Sequence, residues 1–179
     1  MQDIVHYMVM TKIKYYKIIS LFITIFMSSF GANEIESGLY LGSYDDATNI
    51  EALAKHQINC ILSFGMTIPN ITGLLDYDRF LISDEPRTQI IDCFDRSIEF
   101  IERNLAKGNR VLVHCKAGIS RSATIVAAYL IKTHNIAPDE ALKIVSAKRK
   151  FIYPNYGFIC QLVEYYEKQI KDTPGQNKN

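Results

Sequence analysis

The sequence predicts one α/β domain with a central, mostly parallel sheet flanked by helices. Two observations carry that expectation. Short apolar runs rich in strand formers alternate with longer stretches of helical spacing, the pattern of strands linked by helical crossovers. The chain also has the size and make-up of a single globular core: 179 residues, 48% hydrophobic and 22% charged.

The elements follow in order. Leu39 to Gly42 is a short apolar strand entering a Gly-Ser turn. Asp45 to His56 places Ala47, Ile50, Leu53 and Ala54 at helical spacing, with acidic residues at its start. Ile58 to Phe64 is an apolar strand, and Pro69, Asn70 and Gly73 mark Gly65 to Asp76 as a loop. Tyr77 to Ile82 is a further strand, broken by the polar stretch Ser83-Asp84-Glu85-Pro86. Asp92 to Leu105 carries Phe94, Ile98, Phe100 and Ile101 on one side, as an amphipathic helix does. Gly108 ends it, and Val111 to His114 is a short buried strand. Ser122 to Ile131 is apolar almost all round, so it is a helix buried in the middle of the protein. Pro138 opens a helix running to Lys148, and Pro154-Asn155 precedes a last helix to about Lys171.

The ends read differently from the middle. Lys12, Lys14 and Lys17 precede an uncharged run from Ile18 to Asn33, too short to span a bilayer comfortably, which needs roughly 20 apolar residues. Basic residues, a short apolar core and small residues after it fit a secretory signal; a weak membrane anchor, or a segment upstream of a true start at Met27, are the alternatives. Residues 1–32 are therefore set apart from a domain spanning 33–171, and 172–179 form a polar tail.

The balance of 20 Lys+Arg against 19 Asp+Glu leaves a net charge of +1 and excludes a chain-wide drive toward nucleic acid. Cys60, Cys93, Cys115 and Cys160 contain no CxxC pair and no spacing of a metal site, so neither metal nor cofactor is expected. They suit a reducing compartment better than a disulfide scaffold.

The chemistry concentrates in one segment, Val111-Leu112-Val113-His114-Cys115-Lys116-Ala117-Gly118-Ile119-Ser120-Arg121-Ser122. A buried strand ends at a cysteine, and an arginine six positions later opens a buried helix. Such a loop turns several backbone N–H groups toward one point, and the helix dipole adds positive potential. An oxyanion such as phosphate fits the cradle, Arg121 offers a planar fork for two of its oxygens, and Gly118 permits the tight curvature. The same field stabilises a Cys115 thiolate. The expected binding set is His114, Lys116, Ala117, Gly118, Ile119, Ser120 and Arg121. Read singly, Cys115 would be a small core residue and Arg121 a surface charge; the whole set argues otherwise.

His114-Cys115-x-x-Gly118-x-x-Arg121-Ser122 resembles the signature of cysteine-dependent protein tyrosine phosphatases. Gly38-Leu-Tyr-Leu-Gly-Ser43 with Asp46-Ala47, Ala128-Tyr-Leu130, Glu140-Ala-Leu142 and Pro154-Asn-Tyr-Gly-Phe158 with Gln161-Leu162 narrow the likeness to the small, single-domain dual-specificity group. The resemblance covers about residues 35–168. It implies the tyrosine-phosphatase fold and hydrolysis of phosphotyrosine and phosphoserine or phosphothreonine through a phosphocysteine. It further implies a shallow pocket and phosphorylated protein substrates, a signalling kinase among the candidates. An easily oxidised thiolate and scattered cysteines suit a cytoplasmic site of action, against the signal-like N-terminus; membrane contact would run only through residues 18–32.

Expelling an alkoxide or phenolate requires a proton donor. The family places an aspartate about thirty residues before the cysteine, and Asp84 stands there; Glu85 is the nearest substitute, with Asp76, Asp78 and Asp92 farther off. The resemblance gives Ser122 the task of helping sulfur leave the phosphocysteine, although a serine here could equally cap the helix. His114 is expected to order the loop through hydrogen bonds, and Asn155 to cap the last helix and buttress the active-site loop. Competing classes are a phosphate-binding module without turnover, an inositol-lipid phosphatase, an RNA triphosphatase and a sulfur-transfer or arsenate-reducing enzyme. Lys116 as the single loop lysine disfavours the lipid reading, and the match on both flanks disfavours the last.

Overall fold

The computed structural model describes residues 31–172 apart from Asn70. The expectations for the N-terminal segment, up to residue 30, and for the tail beyond residue 172 lie outside the described residues.

Five strands form one sheet in the order β1-β2-β5-β3-β4: β1 Asn33–Glu36, β2 Leu39–Gly42, β3 Ile58–Phe64, β4 Asp76–Phe80 and β5 Arg110–His114. All neighbours run parallel except β1, which lies antiparallel to β2 at one edge. The mostly parallel sheet is the expected one; β1 was not legible, because a four-residue stretch with two glutamates carries no strand pattern.

Both faces of the central strands are covered, as parallel strands require. Leu39, Leu41, Cys60, Leu62, Phe64, Val111 and Val113 join one core cluster with α3 Phe94–Leu105, α4 Arg121–His134, α5 Pro138–Lys148 and α6 Tyr156–Asp172. The alternate residues Tyr40, Ile61 and Leu112 are buried on the opposite face, where α1 Tyr44–Thr48 and α2 Ile50–Lys55 pack. In α4 every residue from Arg121 to Ile131 is buried, which accounts for its unbroken apolar character.

Two element readings need correction. The single helix expected over Asp45–His56 is two short ones. Ser43 and Asp46 form a capping box for α1, and the Asn49 side chain then accepts the Ala52 N–H to start α2. A second cap inside an apolar period is a local event that the period does not register. The helix expected from Asp92 begins as a 3-10 turn, Ile91–Cys93, before α3 proper.

Among the described residues, no helix is long and apolar enough to cross a membrane.

Candidate active site

The loop between β5 and α4 lies at the C-terminal ends of parallel strands, where loops of open α/β sheets converge. Cys115 directly follows β5 and is almost wholly buried. The Ser122 hydroxyl donates to its sulfur at 3.2 Å. Burial opposes ionisation of this thiol, but the Ser122 hydroxyl and the backbone N–H groups of Ser122, Ile119 and Gly118 outweigh it and hold Cys115 below the ordinary thiol range. Gly118 adopts φ +67; a Cβ there would stand 2.6 Å from the Gly42 carbonyl oxygen, so the curvature requires glycine.

His114 sits beneath the loop rather than in it. It is fully buried, one ring nitrogen meets the Ser63 hydroxyl, and Nδ1 lies 3.2 Å from the Cys115 carbonyl. Ser63 and His114 are register partners in neighbouring strands, which brings the pair together. Burial pushes the imidazole down to about 4, so the ring is neutral near pH 7. Its hydrogen bonds thus run to β3 and to the backbone at the base of the loop. The Tyr44 N–H adds a second brace on the Lys116 carbonyl at 3.2 Å.

Arg121 opens α4 and is buried. Its Nη1 donates to the Ile82 carbonyl at 3.0 Å. Its Nε is buried without a hydrogen-bond acceptor, although it lies 3.4 Å from Asp84 Oδ2 in an ion pair. The alternative N-cap reading of Ser122 is corrected: Ser120 occupies the N-cap position, and Ser122 lies one residue inside the helix with its hydroxyl on Cys115.

Asp84 stands beside the same loop. Its Oδ1 accepts from Ser120 Oγ at 2.7 Å and from Asn155 Nδ2 at 2.9 Å. Among the alternatives, Asp76 is bound to Arg103 and Asn104 and Asp78 to Arg96, while Glu85, next to Asp84, and Asp92 are exposed. Asn155 caps the last helix, accepting the Phe158 N–H at 3.1 Å; its Nδ2 holds Asp84, and its backbone N–H reaches Ser120 Oγ of the loop at 3.4 Å.

Cys115, Arg121 and Asp84 thus lie around one loop at the start of α4. The family model for the dual specificity phosphatase catalytic domain matches residues 39–168. The chain belongs to the dual specificity phosphatase family.

Dual specificity protein phosphatase 2 of Mus musculus is 40% identical over 135 residues, covering 75% of this chain and 42% of that protein. Dual specificity protein phosphatase 16 of Homo sapiens is 38% identical over 152 residues, covering 83% of this chain and 23% of that protein. The chain spans less than half the length of these two curated relatives. The solved structure of a human tyrosine phosphatase-like serine/threonine/tyrosine-interacting protein superposes with a TM-score of 0.74 at 37% identity, covering 78% of this chain and 97% of that one.

Around this dual specificity phosphatase site, sequence reasoning missed three supports. Ser63 is hidden in an apolar strand. Gly65, with φ +80, leaves the space that the Arg121 guanidinium fills. Gly157 lets the start of α6 approach the backbone of Pro86, two residues beyond Asp84; a Cβ there would stand 2.6 Å from the Pro86 carbonyl carbon. A glycine directly after β3 was the available signal for Gly65; nothing in the sequence singled out Ser63.

Proposed function

We propose that this domain hydrolyses phosphate monoesters of phosphotyrosine and of phosphoserine or phosphothreonine in proteins, with Cys115 as nucleophile. The observation that carries this reading is Cys115 buried at the floor of a loop, with the Ser122 hydroxyl on its sulfur at 3.2 Å and Arg121 opening the helix that follows. The Cys115 thiolate attacks phosphorus and forms the S–P bond while the ester P–O bond breaks. The departing oxygen takes a proton from the Asp84 carboxylic acid. The Asp84 carboxylate then removes a proton from water, whose oxygen attacks phosphorus; the S–P bond breaks, sulfur leaves as thiolate, and inorganic phosphate is released. Ser122 donates to that sulfur as its charge returns. Arg121 Nε, a buried donor without an acceptor, gains one from a phosphate oxygen. His114 acts through the loop it braces, while the backbone of Lys116 to Arg121 holds the anion.

Phosphorylated proteins are the substrates on this reading, a signalling kinase among the candidates. We place the enzyme in the cytoplasm: a thiolate that must stay reduced suits a reducing compartment, and all four cysteines are free. A phosphate-binding module without turnover is the second reading; one similar solved structure is that of a tyrosine phosphatase-like serine/threonine/tyrosine-interacting protein. Aryl phosphate turnover by the wild-type protein separates the two, and Cys115→Ser then tests the nucleophile. Turnover of an aryl phosphate is abolished while inorganic phosphate still binds the folded protein; activity near wild type removes Cys115 from the mechanism. Trapping of a phosphoprotein from lysate by Cys115→Ser then names the substrate.

A further inference from the structure

Arg149 closes α5 and lies outside the signature. Its guanidinium makes four hydrogen bonds: Nε to the Gly118 carbonyl at 2.8 Å, Nη2 to the Ala117 carbonyl at 3.3 Å, and Nη1 to the Gly31 carbonyl at 2.7 Å and to Asn33 Oδ1 at 2.8 Å. The first two acceptors belong to consecutive peptide units of the phosphate loop. The Ala117 carbonyl shares its plane with the Gly118 N–H, and the Gly118 carbonyl shares its plane with the Ile119 N–H. In a trans peptide the two groups point opposite ways, and no peptide among the described residues is cis. These same two N–H groups hydrogen-bond Cys115.

We propose that Arg149 is a positioning residue for the nucleophile: by holding the Ala117 and Gly118 carbonyls from outside the loop, it keeps the Gly118 and Ile119 N–H groups turned inward onto the Cys115 sulfur and onto an oxyanion bound there. The physical need is specific to this place. Gly118 joins the two planes, and a glycine at φ +67 opposes rotation of its flanking peptides less than any other residue. An external hold fixes what the residue itself leaves loose. The planar fork of arginine suits the task, because it reaches both carbonyls while its third nitrogen anchors to β1. Hydrogen bonds in series through a peptide also polarise one another, which strengthens the inward donors.

This inference rests on Cys115 being the thiolate nucleophile, and one experiment tests the two separately. Alkylation of Cys115 by iodoacetamide is followed across pH by peptide mass spectrometry in the full chain, for wild type, Arg149→Met and Arg149→Lys, with inorganic phosphate binding measured alongside. The wild-type midpoint is expected below that of a free thiol. In Arg149→Met it rises by about one pH unit, a roughly tenfold loss of thiolate below the midpoint, and phosphate affinity falls by a similar factor. Arg149→Lys, able to hold one carbonyl, recovers part of both. An unchanged midpoint and phosphate affinity in folded Arg149→Met overturns the positioning role and leaves the nucleophile standing. A wild-type Cys115 that alkylates like a free thiol overturns the nucleophile assignment instead. Should Arg149→Met not fold, Asn33→Ala decides: it frees one anchor of the guanidinium, so a smaller shift in the same direction supports the role and no shift refutes it.

Discussion

Gly65→Ala perturbs the site without touching the signature loop. A Cβ at Gly65 would overlap Arg121 Nη1 and stand 2.7 Å from Arg121 Cζ and 2.9 Å from the Ile82 carbonyl oxygen that anchors it. The guanidinium must therefore move and its hydrogen bond to Ile82 must break. Two costs follow. An alanine held at φ +80 destabilises the fold by about 1–2 kcal/mol. Loss of one charge-assisted hydrogen bond to the phosphoryl group is worth about 1.5–3 kcal/mol, a fall in kcat/KM of roughly 10- to 100-fold. The assay is steady-state hydrolysis of an aryl phosphate, with a thermal melt to confirm folding and Cys115 alkylation as control. Because the thiolate is held by Ser122 and the loop N–H groups, the alkylation midpoint should stay at its wild-type value. A folded Gly65→Ala protein with kcat/KM within threefold of wild type would falsify the claim that Gly65 makes room for Arg121.

Three further outcomes are expected. Asp84→Asn slows aryl phosphates with poor leaving groups more than those with good ones, since a phenol that leaves readily needs little protonation; an equal loss across a leaving-group series makes Asp84 structural and turns attention to Glu85. Ser122→Ala removes the 3.2 Å hydrogen bond to Cys115 and raises the acid limb of the kcat/KM–pH profile by about one pH unit, while phosphocysteine accumulates in rapid-quench experiments; an unmoved limb with no intermediate removes both roles. His114, pushed down to about 4 by burial, stays neutral in the folded state over a range where the unfolded chain binds a proton. The part of the stability linked to His114 is therefore present above pH 6.5 and is lost as pH drops from 6.5 toward 4, by about 3 kcal/mol. Denaturant titrations of wild type and His114→Gln measure it: the variant should lose that part of the acid sensitivity, and parallel curves contradict it.

What the sequence determined by itself was local. The apolar runs of β3 and β5, the all-apolar α4 and the punctuation by Gly108 and Pro138 fix an α/β order because strand and helix periods repeat within a few residues. The loop was legible for the same reason: Cys115 to Ser122 are contiguous, so strand, loop and helix start bring cysteine, glycine and arginine together with little help from the rest of the chain. The resemblance supplied Asp84 and Ser122, while the break between α1 and α2 escaped because a mid-period asparagine cap looks like one more polar position. Only the tertiary structure decided how the site is held. Ser120 and Asn155 meet Asp84 from separate segments, Ser63 meets His114 across neighbouring strands, Gly65 clears space for Arg121, and Arg149 ties the loop to β1. Each pairing joins residues distant in the chain. No sequence period encodes such a contact, because it exists only once the sheet has set the strands in order and the helices have packed onto it.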